Sequence, residues 1–315
     1  MRTVTGVSAL ALVAVFAAAC STGGTASPSA AGSAAPSAAA SESAAASESP
    51  SSAAAACTPD SMPTRTAGTL TIGADNPAYP PYFQPSDPNP EPWELGDPTN
   101  HTGFESRVAW AVARNLGYVG DTVTWVAVPF NNAIAPGPKD FDIYLTQVSF
   151  SEERAQAVDL SDGYYDVAQA VVAAKDSDLS KATKISELKD FQFGAQVGTT
   201  SLDTINTIIA PSKEAKVYDT NDLAIEALKS GQIDGLVVDL PTALIITATQ
   251  YEDGVVSGQF PAPEGGEHFS IVLDKDSPLT DCVNDALADL KATGELAQIT
   301  SEEMSTNANV PVFQP

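Results

Sequence analysis

The sequence predicts an α/β fold with buried, mostly parallel sheets. Two observations carry this. After Gly68, short apolar or β-rich runs alternate with segments whose apolar residues recur at helical spacing. The strand-like runs are nearly continuous in apolar residues, as expected of strands covered on both faces. At 315 residues the chain is long enough for one large domain or two ordinary ones.

In chain order, Thr69–Ala74 reads as the first strand. Residues 84–102 are rich in Pro, Asp and Asn and read as a long loop containing Trp93 and His101. Phe104–Leu116 repeats apolar residues at helical spacing. Val123–Val128 and Phe141–Leu145 are short strand-like runs, and Pro136-Gly137-Pro138 interrupts what would otherwise be a helix between them. Val167–Ala174 and Phe191–Ala195 are further strand-like runs, followed by helical Leu202–Ile209. Asn221–Lys229 is helical, Leu236–Val238 is a strand, and Thr242–Thr249 and Pro278–Lys291 are helical again. There is no internal repeat. Gly194 to Gly198 lacks the spacing of a dinucleotide or phosphate loop.

Fifteen Lys+Arg stand against 40 Asp+Glu, a formal net charge of −25. Such a chain offers no basic face to phosphates, which excludes nucleic acid as a partner, and it repels anionic membrane surfaces. Two histidines and three cysteines are too few for a zinc site with ordinary ligand spacing. No metal or cofactor is expected.

Residues 1–20 read as an export signal. Arg2 is a short basic region, Val7 to Ala19 is a small-apolar run too short to span a bilayer, and Ala17-Ala18-Ala19-Cys20 ends it. A cysteine after three small residues resembles a lipobox, although lipoboxes usually have Leu where Ala17 stands; an ordinary signal peptide is the alternative. Cys20 is then the lipidated first residue of the mature chain, on the outer face of the cell membrane. In the 36 residues from Ser21 to Ala56, 26 are Ala or Ser and none is aromatic, Val, Ile, Leu or Met. Nothing there can bury apolar surface, so 21–66 is expected to be a disordered tether. Cys57 and Cys282 remain as a pair in an oxidising compartment, where a disulfide is expected over two free thiols.

Several blocks, in order, carry a resemblance. They are Ile72-Gly73-Ala74-Asp75 with Ala78-Tyr79-Pro80-Pro81-Tyr82-Phe83; Gly103-Phe104-Glu105; Phe141-Asp142-Ile143; and Ser149-Phe150-Ser151-Glu152-Glu153-Arg154. Then come Val158 to Tyr165, Val197-Gly198-Thr199-Thr200, Ala227 to Asp234, Val237-Val238-Asp239 and Leu287 to Leu296. Together, across residues 69–299, they resemble the extracellular solute-binding proteins of family 3, the amino-acid-binding proteins of ABC importers. The resemblance implies a type II periplasmic-binding-protein-like fold of two lobes joined by two crossover strands. Lobe 1 is then 68–167 plus 263–315, and lobe 2 is 168–262. It also implies a monomer that holds an amino acid between the lobes and delivers it to a membrane permease.

A free amino acid needs a cation for its carboxylate and an anion for its ammonium when it leaves water. Arg154, one of four arginines after the signal, stands at the family position for the carboxylate, with a planar fork suited to it. A surface Arg pairing Glu152 or Glu153 is the alternative. Ser149 and Thr199 match positions that donate to the same carboxylate, although Thr before a helix is ordinarily an N-cap. Asp239 matches the ammonium partner, or else caps the helix beginning at Pro241. Asp75, Tyr79 and Phe130 match positions around the ligand side chain. Thr146 and Gln147 stand where many relatives have tiny residues, which implies a bulkier or more polar wall. Arg107 departs from an acidic residue common in the family and shares a helix face with Arg114. The function implied is a binding protein for a polar amino acid, basic ones included, and not an enzyme. A cyclic amino-acid dehydratase or a ligand-sensing subunit on the same fold is the alternative.

Overall fold

The computed structural model describes residues 57–261, 266–304 and 310–315, all within one unit spanning Pro50–Pro315. The export signal, Cys20 and the tether as far as residue 56 lie outside the described residues.

The first sheet gathers β1 (Leu70–Ala74), β2 (Val123–Ala127), β3 (Ile143–Tyr144), β4 (Asp159–Leu160) and β12 (Val272–Leu273), in the order β2-β1-β3-β12-β4. β1 runs parallel to β2, with Leu70 opposite Val123 and Ala74 opposite Ala127, and parallel to β3. One face is covered by α1 (Phe104–Asn115), α7 (Thr280–Ala292) and α8 (Glu295–Glu303), which pack together. Phe104, Val108, Val112, Val283 and Leu287 form that core with Leu70 and Ile72. On the other face Phe130 of α2 (Phe130–Ile134) joins Phe141, Tyr144 and Val272.

The second sheet has β6 (Gln169–Ala174), β7 (Phe193–Gln196), β8 (Lys216–Tyr218), β9 (Gly235–Asp239) and β10 (Gly254–Gln259), in the order β10-β6-β9-β7-β8. Alternate residues of β6 serve opposite faces. Val171 and Ala173 pack with Phe193, Ile205 and Val237, while Ala170 and Val172 pack with Ile225, Leu236 and Ala243. Burial on both faces is why these strands read as continuous apolar runs. Three helices flank the sheet: α4 (Thr200–Thr204, continued by a wider turn at Ile205–Ile209), α5 (Asn221–Lys229) and α6 (Leu240–Ile245). Between the sheets, β5 (Tyr165–Val167) and β11 (Glu267–Phe269) pair antiparallel and carry the chain across.

Three expectations are corrected. The sheets are mixed, not mostly parallel: β6 pairs antiparallel with both β9 and β10, and β12 with both β3 and β4. A strand arriving from the opposite lobe, β6 or β12, enters its sheet from the other end, which reverses its direction. Residues 57–66, expected as part of the tether, are packed against the first lobe. Cys57 is disulfide-bonded to Cys282 of α7 with Cα atoms 5.5 Å apart, Met62 is buried against the first core, and the Arg65 amide donates to Asp142 at 2.7 Å. The C-terminal end, assigned to lobe 1, lies on the second sheet. Phe313 is buried beside Phe260, ring centroids 5.3 Å apart, and residues 312 and 314 bridge Gln259 and Lys184.

The loop at 84–102 is held in place. Trp93 is buried in the first core, His101 stacks on Trp110 at 3.9 Å, and the Asn76 side chain receives the Glu94 amide and donates to the Pro92 carbonyl. Gly96 is required there, because a Cβ would sit 2.4 Å from the Phe83 carbonyl oxygen and 2.7 Å from that of Ala78. The loop therefore backs the segment that carries Tyr79.

Candidate functional site

The carboxyl ends of β1, β7 and β9, with the turn after β3, face one another across the lobes, where open α/β sheets place their ligands. They enclose a small cavity of about 50 Å³. Asp75, Tyr79, Phe130, Thr146, Gln147 and Arg154 line it from the first lobe, and Thr199 and Asp239 from the second. Ser149 is buried just behind it, its hydroxyl 3.5 Å from that of Thr200.

Arg154 begins α3 (Arg154–Ala157) and is 8% exposed. Its guanidinium donates to the Ser149 carbonyl in its own lobe and, at 2.8 Å, to the Gly198 carbonyl in the other. It lies 5.6 Å from the centre of the Phe130 ring. None of the ion pairs among the described residues includes it, so pairing with Glu152 or Glu153 does not occur. Burial pushes its pKa down, against the opposing pull of Asp239, Asp203 and Glu267. A desolvated cation without an anion is costly unless something else supplies the anion.

Asp239 stands at the first position before α6 but makes no side-chain cap there. Its carboxylate turns to Gln169 and accepts from Nε2 at 2.6 Å. Burial, and then the neighbouring Glu267 carboxylate, push its pKa up to about 8. Asp75 is raised by burial, while the Asn76 and Phe130 amides pull it back. Thr146 holds Asp75 in position, accepting the Asp75 amide at 2.9 Å. Burial and then the nearby Asp222 carboxylate keep the Tyr79 phenol protonated.

Two of the expected site residues are already engaged in hydrogen bonds. The Thr199 hydroxyl caps α4, accepting from the Leu202 amide and donating to the Gln196 carbonyl, so its donor is already used. The Gln147 amide and side-chain amide both donate to Glu105, a fully buried acid at the start of α1 that also accepts from the Tyr164 hydroxyl. Burial pushes Glu105 up to about 7 against those three donors. Arg107 and Arg114 belong elsewhere: they pair with Glu302 and Glu303, and with Glu295, and fasten α8 to α1.

Sequence reasoning missed Gln196, Thr200, Ser201, Asn221 and Thr242, which also line the cavity. Their signal was positional, since each ends a strand or begins the helix after one. It also missed Gln169 and Glu267 behind the cavity. The site can neutralise a carboxylate at Arg154 and an ammonium at Asp239. Among the described residues no group of three or more His, Cys, Asp or Glu could hold a metal ion.

Residues 85–304 match the sequence model of the bacterial extracellular solute-binding proteins, family 3. The chain belongs to this family. Among its family 3 relatives, the arginine-binding extracellular protein ArtP of Bacillus subtilis is 28% identical over 213 residues, 66% of this chain and 80% of ArtP. A probable histidine-binding protein of Campylobacter jejuni is 31% identical over 60% of this chain and 70% of its own length. The L-cystine-binding protein TcyJ of Escherichia coli is 27% identical over 75% of this chain and 82% of its own. An ancestral arginine-binding protein, solved bound to arginine, superposes with a TM-score of 0.61 at 26% identity, covering 76% of this chain and 99% of that one. The fold is that of the type II periplasmic amino-acid-binding proteins. No helix among the described residues is long and apolar enough to cross a membrane.

Proposed function

We propose that this family 3 protein is a lipid-anchored, extracytoplasmic binding protein that closes on a polar amino acid, basic ones included, and hands it to an ABC permease. The observation that carries this reading is the buried Arg154, unpaired among the described ion pairs, with Asp239 facing the same cavity from the other lobe. Those two charges match the two charges of a zwitterion. Asp75 lines the cavity as a further acid for the ligand side chain, and relatives named for arginine and histidine binding support basic side chains. Closure follows from differential affinity, because a ligand touching both lobes favours the arrangement in which both sets of contacts exist.

A thermal-shift panel of the twenty L-amino acids, with cystine and ornithine added, tests the proposal. One or a few should stabilise the protein strongly, since a ligand at 100 times Kd adds ~2.7 kcal/mol. No shift with any of them contradicts amino-acid binding, and turnover of prephenate would identify a dehydratase instead.

A further inference from the structure

Behind the cavity a single side-chain amide serves two carboxylates. Gln169 is 4% exposed, and its Nε2 donates to Asp239 Oδ1 at 2.6 Å and to Glu267 Oε1 and Oε2 at 3.1 and 3.3 Å. Its Oε1 accepts from the Ser201 hydroxyl at 2.7 Å, which fixes the nitrogen toward the acids. The Thr200 hydroxyl donates to Glu267 Oε1 at 2.6 Å. Strand registers set this arrangement: Gln169 lies opposite Asp239 on β6 and β9, and Glu267 lies opposite Val167 on the crossover pair. Asp239 and Glu267 thus meet at the hinge, both half-buried, where two like charges sharing one donor cannot both persist without cost.

We propose that Glu267 and Gln169 are positioning residues which make Asp239 and Glu267 a carboxyl pair holding one proton, released to water when a ligand ammonium takes its place. This rests on the amino-acid reading above. The elevated Asp239 agrees with it. The other charged or titratable groups around the pair are Arg154 from α3, Glu105 from α1, Asp203 from α4 on the Glu267 side, Tyr82, Tyr164, and Tyr165 from β5. The Gln169 donation and then Arg154 oppose the retained proton, and a ligand carboxylate on Arg154 removes the second of these. The ammonium, with three donors, is then the group that ionises the pair.

Two measurements on the full chain decide it. In the ligand-free protein, carboxyl titration by 13C NMR should show a group titrating well above the usual range that Asp239→Asn abolishes. Glu267→Gln should move it down by about one unit or more. Thr200→Val, which removes a donor to the charged form, should move it up. With L-arginine as the probe, calorimetry at pH 6 in buffers of different ionisation enthalpy should show about one proton released per ligand. Affinity should rise roughly tenfold or more from pH 6 to pH 8, since one pKa unit is a factor of ten. In Glu267→Gln that rise should fall below about threefold, and Glu267→Asp should restore it. A Glu267→Gln protein that titrates like wild type, or keeps the steep pH dependence, overturns the proposal. Failure of the wild type to bind L-arginine counts against the basic-ligand reading, and the ligand-free titration then decides the carboxyl pair alone.

Discussion

Arg154 is the residue on which binding and folding pull in opposite directions. Among the described residues its guanidinium hydrogen-bonds only to the Ser149 and Gly198 carbonyls, so the ligand-free protein bears the cost of a buried cation with no ion-pair partner. Arg154→Ala should weaken binding of the identified ligand by tens- to thousands-fold, ~2–5 kcal/mol, because the ligand carboxylate is left buried and unpaired. Calorimetry checks this, and a change of less than about threefold removes the carboxylate assignment. Arg154→Met, which fills the space without charge, should be at least as stable as wild type when ligand-free. Glu105 makes a complementary prediction about pH. Its folded pKa, up to about 7, lies above its ordinary value of 4.5. Its stabilisation is therefore complete below about pH 4.5 and is lost as pH rises through about 7, with an upper bound of ~3 kcal/mol. Urea denaturation from pH 5 to pH 8 should show a decline for wild type that is smaller for Glu105→Gln. Equal slopes would mean that Glu105 is already ionised, as its three donors favour.

Among the elements, α5 was legible to the residue and α1 to within one. Phe104, Val108, Ala111 and Val112 recur at helical spacing, and all four are buried. Strand positions were legible and strand directions were not, because the apolar runs of β6 and β9 say nothing about which end of a sheet each enters. The C-terminal segment was illegible for a different reason. A short stretch with Val312 exposed and Phe313 buried has no periodicity to read. Glu267 was illegible because its meaning depends on Thr200 and Gln169, which are 67 and 98 residues away. The Cys57–Cys282 disulfide was legible from cysteine number and compartment alone. It ties the entering chain to α7 across a separation of 225 residues. Its removal by Cys57→Ser with Cys282→Ala should lower stability by up to about 5 kcal/mol on the chain-entropy view. Unfolding with and without reductant measures this. Two free thiols per unfolded, unreduced chain would contradict the bridge.

For the whole molecule, several side-chain contacts among the described residues join the lobes besides the crossover strands. The Arg154 donation to Gly198, the Tyr82 hydroxyl 3.1 Å from that of Thr242 and Tyr79 near Asp222 are among them. Against these stand Arg154, Asp75 and the Asp239–Glu267 pair, which regain water when the cleft opens. In solution the ligand-free protein should therefore populate an open form, and ligand should close it. To drive a two-state hinge from 1:99 to 99:1, the ligand must prefer the closed form by roughly 10⁴-fold, ~5.5 kcal/mol. No single lobe can supply that preference, since contacts to one lobe exist in both forms. Asp239 belongs to the lobe opposite Arg154, so its contact with the ligand arises on closure. Asp239→Ala should then lose affinity and also lose most of the decrease in radius of gyration that saturating ligand produces. Asp75 shares a lobe with Arg154, and Asp75→Ala should change the preference among side chains while leaving compaction intact. Small-angle scattering on the two variants at saturating ligand separates the cases. Full compaction in Asp239→Ala would show that closure is driven without the ammonium contact, and the bridging role assigned to the zwitterion would fail.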